Sequence, residues 1–590
     1  YIQVSELLES RIRSRFASDS IKVDLASTDT GLDVHIIGFA KVVGDIHAGA
    51  ADVKLFFAVA FILTAIMVYI FMQSFRLTMI TVSCSLMAVI WQLGLLPLLG
   101  FCIDPMSILV PFLVFAIAVS HGMQMIIALR AEIFTGKETD EAAKSSFCKL
   151  LVPGGIALLS DTIGFLTILF IKIEIIREMA ITASLGVAVV ILTNLILLPV
   201  LVSYTSFGDE YRERMIKRAN WLRHVWDFIA HVTDRKIALV IIAISSVLAV
   251  AGFWKGSEIR IGDLHQGVPE FHEDSVYNED TRVITERFTI GVDVLSVMAE
   301  TKKDGCIDYE VMKDIDRFGW FMRNVEGVQS VISLPAIARK INAGWNEGSL
   351  KWREFPRNHH MMVQSVAHVP TSSGLLNRDC SVMPVMIFTR DHKAETIDRI
   401  IDAVKLYRSS YALDNVSYQL ASNNVGVMAA TNEVVRDAQF PILINVFLAI
   451  IVLCLITFKS VRGTLCVVLP LGLVSVLAYA LMTLLEIGLK VNTLPVVALG
   501  VGIGVDYGIY IYNRLQSLMK QGMPFREAFR LTLAITGSGV VFTAVILGLG
   551  VMTWIFSDLK FQADMGIMLT FMFMVNMLGA ILLLPALAAW

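Results

Sequence analysis

The stretch Gly500-Val-Gly-Ile-Gly-Val-Asp-Tyr-Gly-Ile-Tyr510 decides the fold of this chain. It lies in an apolar run from about Val491 to Ile511, long enough to cross a bilayer. Asp506 therefore sits near the membrane centre, where a carboxylate costs about 2.5–3.5 kcal/mol on insertion scales. Gly500, Gly502, Gly504 and Gly508 read as helix-packing positions. Three of them, at 500, 504 and 508, fall at i, i+4 and i+8 and make a smooth stripe that admits a neighbouring helix. Asp506, Tyr510 and Asn513 fall at i, i+4 and i+7 and make a second, polar stripe. Such an acid is either satisfied by hydrogen bonds between helices or serves as a proton or ion site. Intramembrane acids are functional by default, which favours the second reading.

Composition sets the class. Of 590 residues 56% are hydrophobic and 17% charged, mean hydropathy is +0.68, and apolar runs of membrane-spanning length recur. An ordinary soluble domain is excluded. The net charge of −3 carries little information, and no basic patch points to a nucleic-acid partner. Seven cysteines are scattered without C-x-x-C spacing, so no metal or cofactor is expected. Cys306 and Cys380 could pair, but spacing alone does not bring them together. No phosphate-binding loop or nucleophile elbow occurs, so no catalytic residue is assigned and an enzyme is not expected.

Apolar runs at about 53–73, 77–100, 106–129, 147–172, 177–204, 236–255, 437–457, 463–486, 491–513, 531–556 and 562–590 make eleven expected spans. The expected domains follow from them. Residues 1–52 end an outer domain, and 53–204 hold five spans. A cytoplasmic linker at 205–235 precedes one span at 236–255. A second outer domain fills 256–435, and five spans fill 436–590. Strand-like alternation marks 21–25 and 33–37. In the linker, Met215, Ala219, Leu222, Trp226 and Ile229 recur at helical spacing between Arg212, Arg218 and Arg223. That pattern fits an amphipathic helix in the inner interface, or a plain linker helix packed on the bundle.

Loop charge sets the orientation. Arg76, Arg130, Lys137, Lys144, Lys459, Arg462, Lys520 and Arg526 fall in one alternating set of loops. The other set carries Asp104, Glu174, Glu486, Asp558 and few cations. The positive-inside rule puts the first set in the cytoplasm and residues 1–50 and 256–435 outside, in the periplasm of a Gram-negative cell. The larger outer domain reads as α+β. Strands at 292–298 and 328–333 flank a helix at 309–324, and strands at 381–389 and 416–421 flank a helix at 393–411, a split βαβ, ferredoxin-like order. His359 and His360 are adjacent without further ligands at metal-binding spacing and read as surface residues.

An internal repeat joins the two groups of spans. Ser74 matches Ser460, Gly136 matches Gly522, Glu141 matches Glu527, Met179 matches Met565 and Pro199 matches Pro585, each pair 386 positions apart. Two half-bundles in the same orientation follow, related by an axis along the membrane normal. By the same repeat, a further first helix and most of a first outer domain are expected ahead of residue 1.

This organisation resembles the resistance–nodulation–division (RND) superfamily, with two six-helix halves that each carry a large outer loop after the first helix. The Gly-x-Gly-x-Gly-x-Asp-Tyr-Gly run at 500–508 resembles a motif of its mycobacterial-membrane-protein-large (MMPL) and hopanoid-transporter branch, which is related to sterol-sensing domains. Phe112 to Gly122 is similar to the first-half motif of exporters in that branch. The resemblance implies an α-helical polytopic membrane protein with two pseudo-symmetric halves and ferredoxin-like α+β periplasmic domains. It also implies proton-driven efflux of lipids or other amphiphiles from the bacterial inner membrane. Membrane lipids, a periplasmic lipoprotein or carrier, and a homo-oligomer are the partners it suggests.

The repeat exposes a departure from that branch. Asp506 and Tyr507 correspond to Ser120 and His121, so the first half lacks the Asp-Tyr pair. A second acid, Asp161, lies at mid-depth of the following helix. Asp506, Tyr507, His121, Asp161 and Ser120 are the expected proton relay, with protons as the coupling ion. The expectation is that Ser120 and His121 face Asp506 and Tyr507, with Asp161 close behind. His121 has an ordinary pKa near 6.5, suited to relay, or it is a buried neutral histidine bonded to a carbonyl. Asp161 either titrates or makes a helix-to-helix hydrogen bond. Three functions stay open at this point: a proton-driven exporter, a lipid-sensing receptor without vectorial transport, and a proton-driven accessory of protein export.

Overall fold

The computed structural model describes residues 1–13, 34–104, 106–205, 211, 213, 223–288, 292–421 and 423–590. Two compact units form, Tyr1–His47 with Ile261–Glu433, and Ala48–Arg260 with Val434–Trp590. The helices used below are, in chain order, α1 Phe39–Met72, α2 Phe75–Leu98, α3 Ser107–Phe134, α4 Thr139–Phe170, α5 Glu174–Ser203 and α6 Arg235–Gly256. They continue with α7 Val276–Arg287, α8 Tyr309–Arg323, α9 Leu334–Trp345, α10 His359–Ala367 and α11 Ala394–Ser410. The last five are α12 Asn424–Phe458, α13 Val461–Leu484, α14 Leu494–Lys520, α15 Phe525–Phe556 and α16 Lys560–Ala588. Among the described residues eleven helices, α1–α6 and α12–α16, are long and apolar enough to cross a membrane. The chain is a polytopic helical membrane protein.

The repeat is visible in the backbone. Gln73 and Lys459 both take a left-handed turn, with φ of 53° and 50°. Ser74 and Ser460 follow as extended N-caps whose hydroxyls accept from the Leu77 and Gly463 amides. Gly136 and Gly522 turn with φ of 94° and 87°, a conformation a side chain would strain. Before α3 the Ser107 hydroxyl accepts from the Asp104 amide, and before α14 the Thr493 hydroxyl accepts from the Lys490 amide. Wide π-turns at Ile191–Leu197 and Gly579–Leu583 precede Leu198-Pro199 and Leu584-Pro585. Burial differs sharply among the spans. The most apolar stretch of α14 is buried throughout, while α6 leaves most of its apolar side chains for lipid.

The glycine stripe of α14 faces other helices. A Cβ at Gly500 would lie 2.4 Å from the Met572 sulfur, one at Gly504 2.2 Å from Asn576 Nδ2, and one at Gly508 2.8 Å from Val467. Asn576 Nδ2 also donates to the Gly500 carbonyl at 2.9 Å. Gly502 points to the opposite side and meets the backbone of Gly164 on α4. The repeat equivalent of the Gly500–Met572 contact is Val114 against Gly186, where a Cβ on Gly186 would lie 2.4 Å from Val114 Cγ2. Large and small residues have exchanged helices while the contact keeps one glycine.

In the other unit, four antiparallel strands, β1 Val294–Glu300, β2 Val328–Ile332, β3 Val382–Thr389 and β4 Ser417–Ala421, pair in the order β2-β3-β1-β4. With α8 and α11 as the two crossovers this is the ferredoxin-like arrangement. Val297, Val385 and Ile387 of the sheet pack with Phe318 of α8 and Ile400 of α11. Cys306 and Cys380 form a disulfide with Cα atoms 5.4 Å apart, so the pairing that sequence left open does occur. Asp280 of α7 gathers the N-terminal segment: it accepts from His35 Nδ1 at 2.8 Å and from the Ile36 amide at 3.0 Å, and it pairs with Arg13. Gly38 donates its amide to the Tyr277 hydroxyl.

One expectation changes. Residues 34–37 are irregular, not a strand, because the Ile36 amide is spent on Asp280 and Ile36 is buried there. The strand expected at 21–25 lies outside the described residues. In the linker, residues 223–230 are helical with Trp226 buried, while Arg212, Met215, Arg218, Ala219 and Leu222 lie outside the described residues.

Two expected outcomes follow from these contacts. Gly500→Val should destabilise the bundle by about 1–3 kcal/mol through overpacking, and adding Met572→Gly should recover most of that loss by recreating the Val114–Gly186 arrangement. Thermal unfolding in detergent reads both, and an unrecovered double variant would refute the complementarity.

The second concerns His392, buried with its Nδ1 3.0 Å from Asp293 Oδ2. Burial alone would lower its pKa. The Asp293 hydrogen bond and the charges of Asp293, Asp263 and Asp391 outweigh burial and hold it above the ordinary value. The pair therefore contributes stability that is complete below about pH 6.5 and fades as pH rises through the raised pKa. The melting difference between wild type and His392→Gln should shrink toward alkaline pH; a constant difference from about pH 6 to about pH 9 would contradict this.

Candidate functional site

Three spans bring titratable side chains to one buried point. α3 carries His121, α4 carries Asp161 and α14 carries Asp506. His121 Nε2 lies 3.3 Å from Asp506 Oδ2 and 3.7 Å from Asp161 Oδ2, and the three side chains are 4%, 0% and 5% exposed. His121 Nδ1 pairs with the Tyr510 hydroxyl at 2.9 Å. The two acids therefore face one ring nitrogen, and the tyrosine holds the other and sets the ring orientation. Gly502 and Gly164 make this possible: with no side chains between them, α4 and α14 approach closely and Asp161 comes within reach of His121.

The polar atoms here are under-bonded. Both oxygens of Asp161, Oδ1 of Asp506 and Nε2 of His121 are buried without a hydrogen-bond partner. The 3.3 Å separation is an ion-pair distance, not an aligned hydrogen bond. Among the described residues, His121 is the basic group within ion-pair distance of either acid. An imidazolium can balance one carboxylate. The second remains an uncompensated charge in an apolar interior unless it holds a proton. The trio thus has one more acid than it can keep ionised cheaply, which is the chemical requirement for taking up and releasing a proton. The three ligating atoms also lie within 4.8 Å of one another, so His121, Asp161 and Asp506 are the residues that could hold a cation.

Not all expected relay residues join. Ser120 is buried but makes no hydrogen bond to the trio among the described residues. Tyr507 is buried with its hydroxyl unpartnered. Successive helical residues project about 100° apart, so a helix that turns His121 toward α14 turns Ser120 away. The same offset separates Tyr507 from Asp506. Tyr510, one turn beyond Asp506, shares its face and takes the place expected of Tyr507. The i, i+4 stripe of the sequence contained that signal. Glu132 is a buried acid that sequence reading passed over: it ends α3, accepts from Lys137 at 2.7 Å and Ser145 at 2.9 Å, and pairs with Lys149. It follows His121 by three helical turns on nearly the same face of α3.

Comparison with known proteins agrees with this architecture. The model of the MMPL family matches residues 12–236 and 352–590. MJ1562 of Methanocaldococcus jannaschii, whose name describes it as a membrane protein and no more, is 22% identical over 376 residues, covering 62% of this chain and 94% of its own length.

The hydrogen-bond pattern separates the two tyrosines. Tyr510→Phe leaves a buried ring nitrogen unpaired and should cost about 1–3 kcal/mol. Tyr507→Phe removes a hydroxyl with no partner to lose and should be neutral or stabilising. Unfolding midpoints of the two variants in detergent measure the contrast, and equal losses would show that the tyrosines are interchangeable.

Proposed function

The chain belongs to the MMPL family, whose members are transporters rather than enzymes, and from that membership we propose that it is a proton-driven exporter of hydrophobic or amphiphilic, lipid-like molecules. The observation that carries the reading is the buried His121–Asp161–Asp506 trio with its unpartnered carboxylate oxygens. Both acids face Nε2, so one nitrogen can receive a proton from either carboxylate and pass it to the other. For Nε2 to accept, the resting imidazole carries its proton on Nδ1 and donates it to the Tyr510 hydroxyl. A proton arriving at Asp161 moves to Nε2, and the imidazolium returns it to Asp506. Each transfer changes which acid is charged, and with it the attraction between α3, α4 and α14.

Two observations support a cytoplasmic-membrane setting with residues 1–47 and 261–433 on the outer side. The Lys- and Arg-rich loops alternate as the positive-inside rule requires. The Cys306–Cys380 disulfide suits an oxidising, extracytoplasmic compartment. A lipid-like cargo, membrane lipids, a periplasmic carrier and a homo-oligomer belong to the same proposal. They rest on family membership rather than on the site.

Asp506→Asn keeps shape and hydrogen-bonding capacity but removes titration. In reconstituted vesicles with an imposed proton gradient, efflux of a fluorescent amphiphile should fall to background while the variant still folds and inserts, and Asp506→Glu should retain part of the activity. Wild-type, gradient-dependent efflux by Asp506→Asn would overturn the proposal.

A further inference from the structure

The donor set of the trio is mixed, with one imidazole nitrogen from α3 and carboxylates from α4 and α14. His121 Nε2 lies 3.3 Å from Asp506 Oδ2 and 3.7 Å from Asp161 Oδ2. The donor atoms of the three residues all fall within 4.8 Å of one another. Donors bound about 2.0–2.2 Å from a zinc ion at tetrahedral angles lie about 3.3–3.6 Å apart. Both histidine–carboxylate separations are therefore close to those between two ligands of one ion.

What these atoms lack is as informative. His121 Nε2, both oxygens of Asp161 and Oδ1 of Asp506 are buried without a hydrogen-bond partner, so coordination by these four atoms breaks no existing hydrogen bond. Asp161 can turn either oxygen, or both, toward an ion. The other ring nitrogen of His121 pairs with the Tyr510 hydroxyl at 2.9 Å. Such an outer contact orients a metal-ligating histidine and leaves Nε2 as the free lone pair. Charge points the same way. Two carboxylates in an apolar interior call for two positive charges, and a divalent cation supplies both, with a neutral imidazole as third ligand. The imidazole disfavours Mg2+ and Ca2+, which take oxygen donors, and suits zinc-like ions.

The repeat supplies a comparison. The positions equivalent to His121, Asp161 and Asp506 are Tyr507, Leu547 and Ser120. That set has no imidazole and no carboxylate, so a single ion per chain is expected. Motif spacing does not reveal the site, because its ligands come from three helices distant in sequence.

We propose that His121, Asp161 and Asp506 form a site for one zinc-like divalent cation, taken up as α3, α4 and α14 pack and held between them. This goes beyond the proton-coupled reading. The ion engages both carboxylates and Nε2 at once, so the loaded chain is a form of the protein pinned at the trio.

The metal content of the full chain tests this. The chain is produced with Zn2+ in the medium, purified in detergent and dialysed against EDTA. Dialysis strips ions from surface groups such as His359 and His360, whereas an ion at the trio leaves only when the bundle opens. Mass spectrometry of the metal should find one zinc ion per wild-type chain. His121→Gln and Asp161→Asn should each retain at least about tenfold less, since losing even an outer contact of a metal site costs about that much. Asp161→Leu, the exchange that the repeat carries at 547, removes coordination by this residue altogether. Unfolding midpoints measured without zinc confirm that each variant is folded. Zinc lost from the wild type, or retained equally by the folded variants, overturns the site and leaves an adventitious ion only. Mg2+ supplied in place of zinc should not be retained, and equal retention overturns the choice of ion. No transport enters these measurements, so their failure leaves proton coupling intact. Wild-type efflux by Asp506→Asn would overturn coupling without bearing on the zinc content of the wild-type chain.

Discussion

Two carboxylates share one imidazole in a place where water cannot solvate them, and much of the helical unit serves that constraint. Charges at this depth are tolerated only when they face the bundle interior and find partners. α14 is accordingly the buried span, and its glycines let α4, α13 and α16 close around it. Asn576 reaches the Gly500 carbonyl in the space that Gly504 leaves free. Tyr510 fixes the imidazole from its far nitrogen, so Nε2 stays between the acids. Packing and chemistry are not separable here: the backbones of Gly164 and Gly502 meet beside the point where Asp161 reaches His121.

Symmetry explains how such a site arises in a repeated fold and why it is not itself symmetric. The two halves keep their turns, caps and π-turns in register. Their interiors diverge by exchange. The Gly500–Met572 contact becomes Val114–Gly186, Tyr510 becomes Gln124, and the Asp506-Tyr507 pair becomes Ser120-His121. A pair of identical acids at a pseudo-two-fold axis would repel. With histidine in the place of one and Asp161 added from the next helix, the site is an acid–base–acid row instead of a symmetric pair.

Several features are legible in the sequence alone. Segments of about 20 apolar residues leave few alternatives to a spanning helix, so the eleven spans were readable within a few residues at most ends. The ferredoxin-like order was legible because alternation and helical periodicity switch at each boundary from Val294 to Ala421. The glycine stripe was also legible, since i, i+4 spacing alone puts 500, 504 and 508 on one face. The alternation at 33–37 misled because burial of Ile36 beside Asp280, in an irregular segment at 34–37, imitates the one-sided burial of a strand.

By itself, then, the sequence determined the spans and the acids that had to be hidden, because each follows from transfer free energies and periodicities local to one segment, and a constant offset between segments determined the repeat. The repeat also anticipated His121 near Asp506 with Asp161 behind it, but only the tertiary structure decided which other side chains join them. Whether Tyr507 or Tyr510 meets the imidazole and whether Cys306 finds Cys380 depend on the relative rotation of packed helices and the joining of distant loops. A rotation of about 100° separates one residue from the next on a helix, and nothing in a single segment fixes it; the contacts of Gly164 with Gly502 and of Gly504 with Asn576 do.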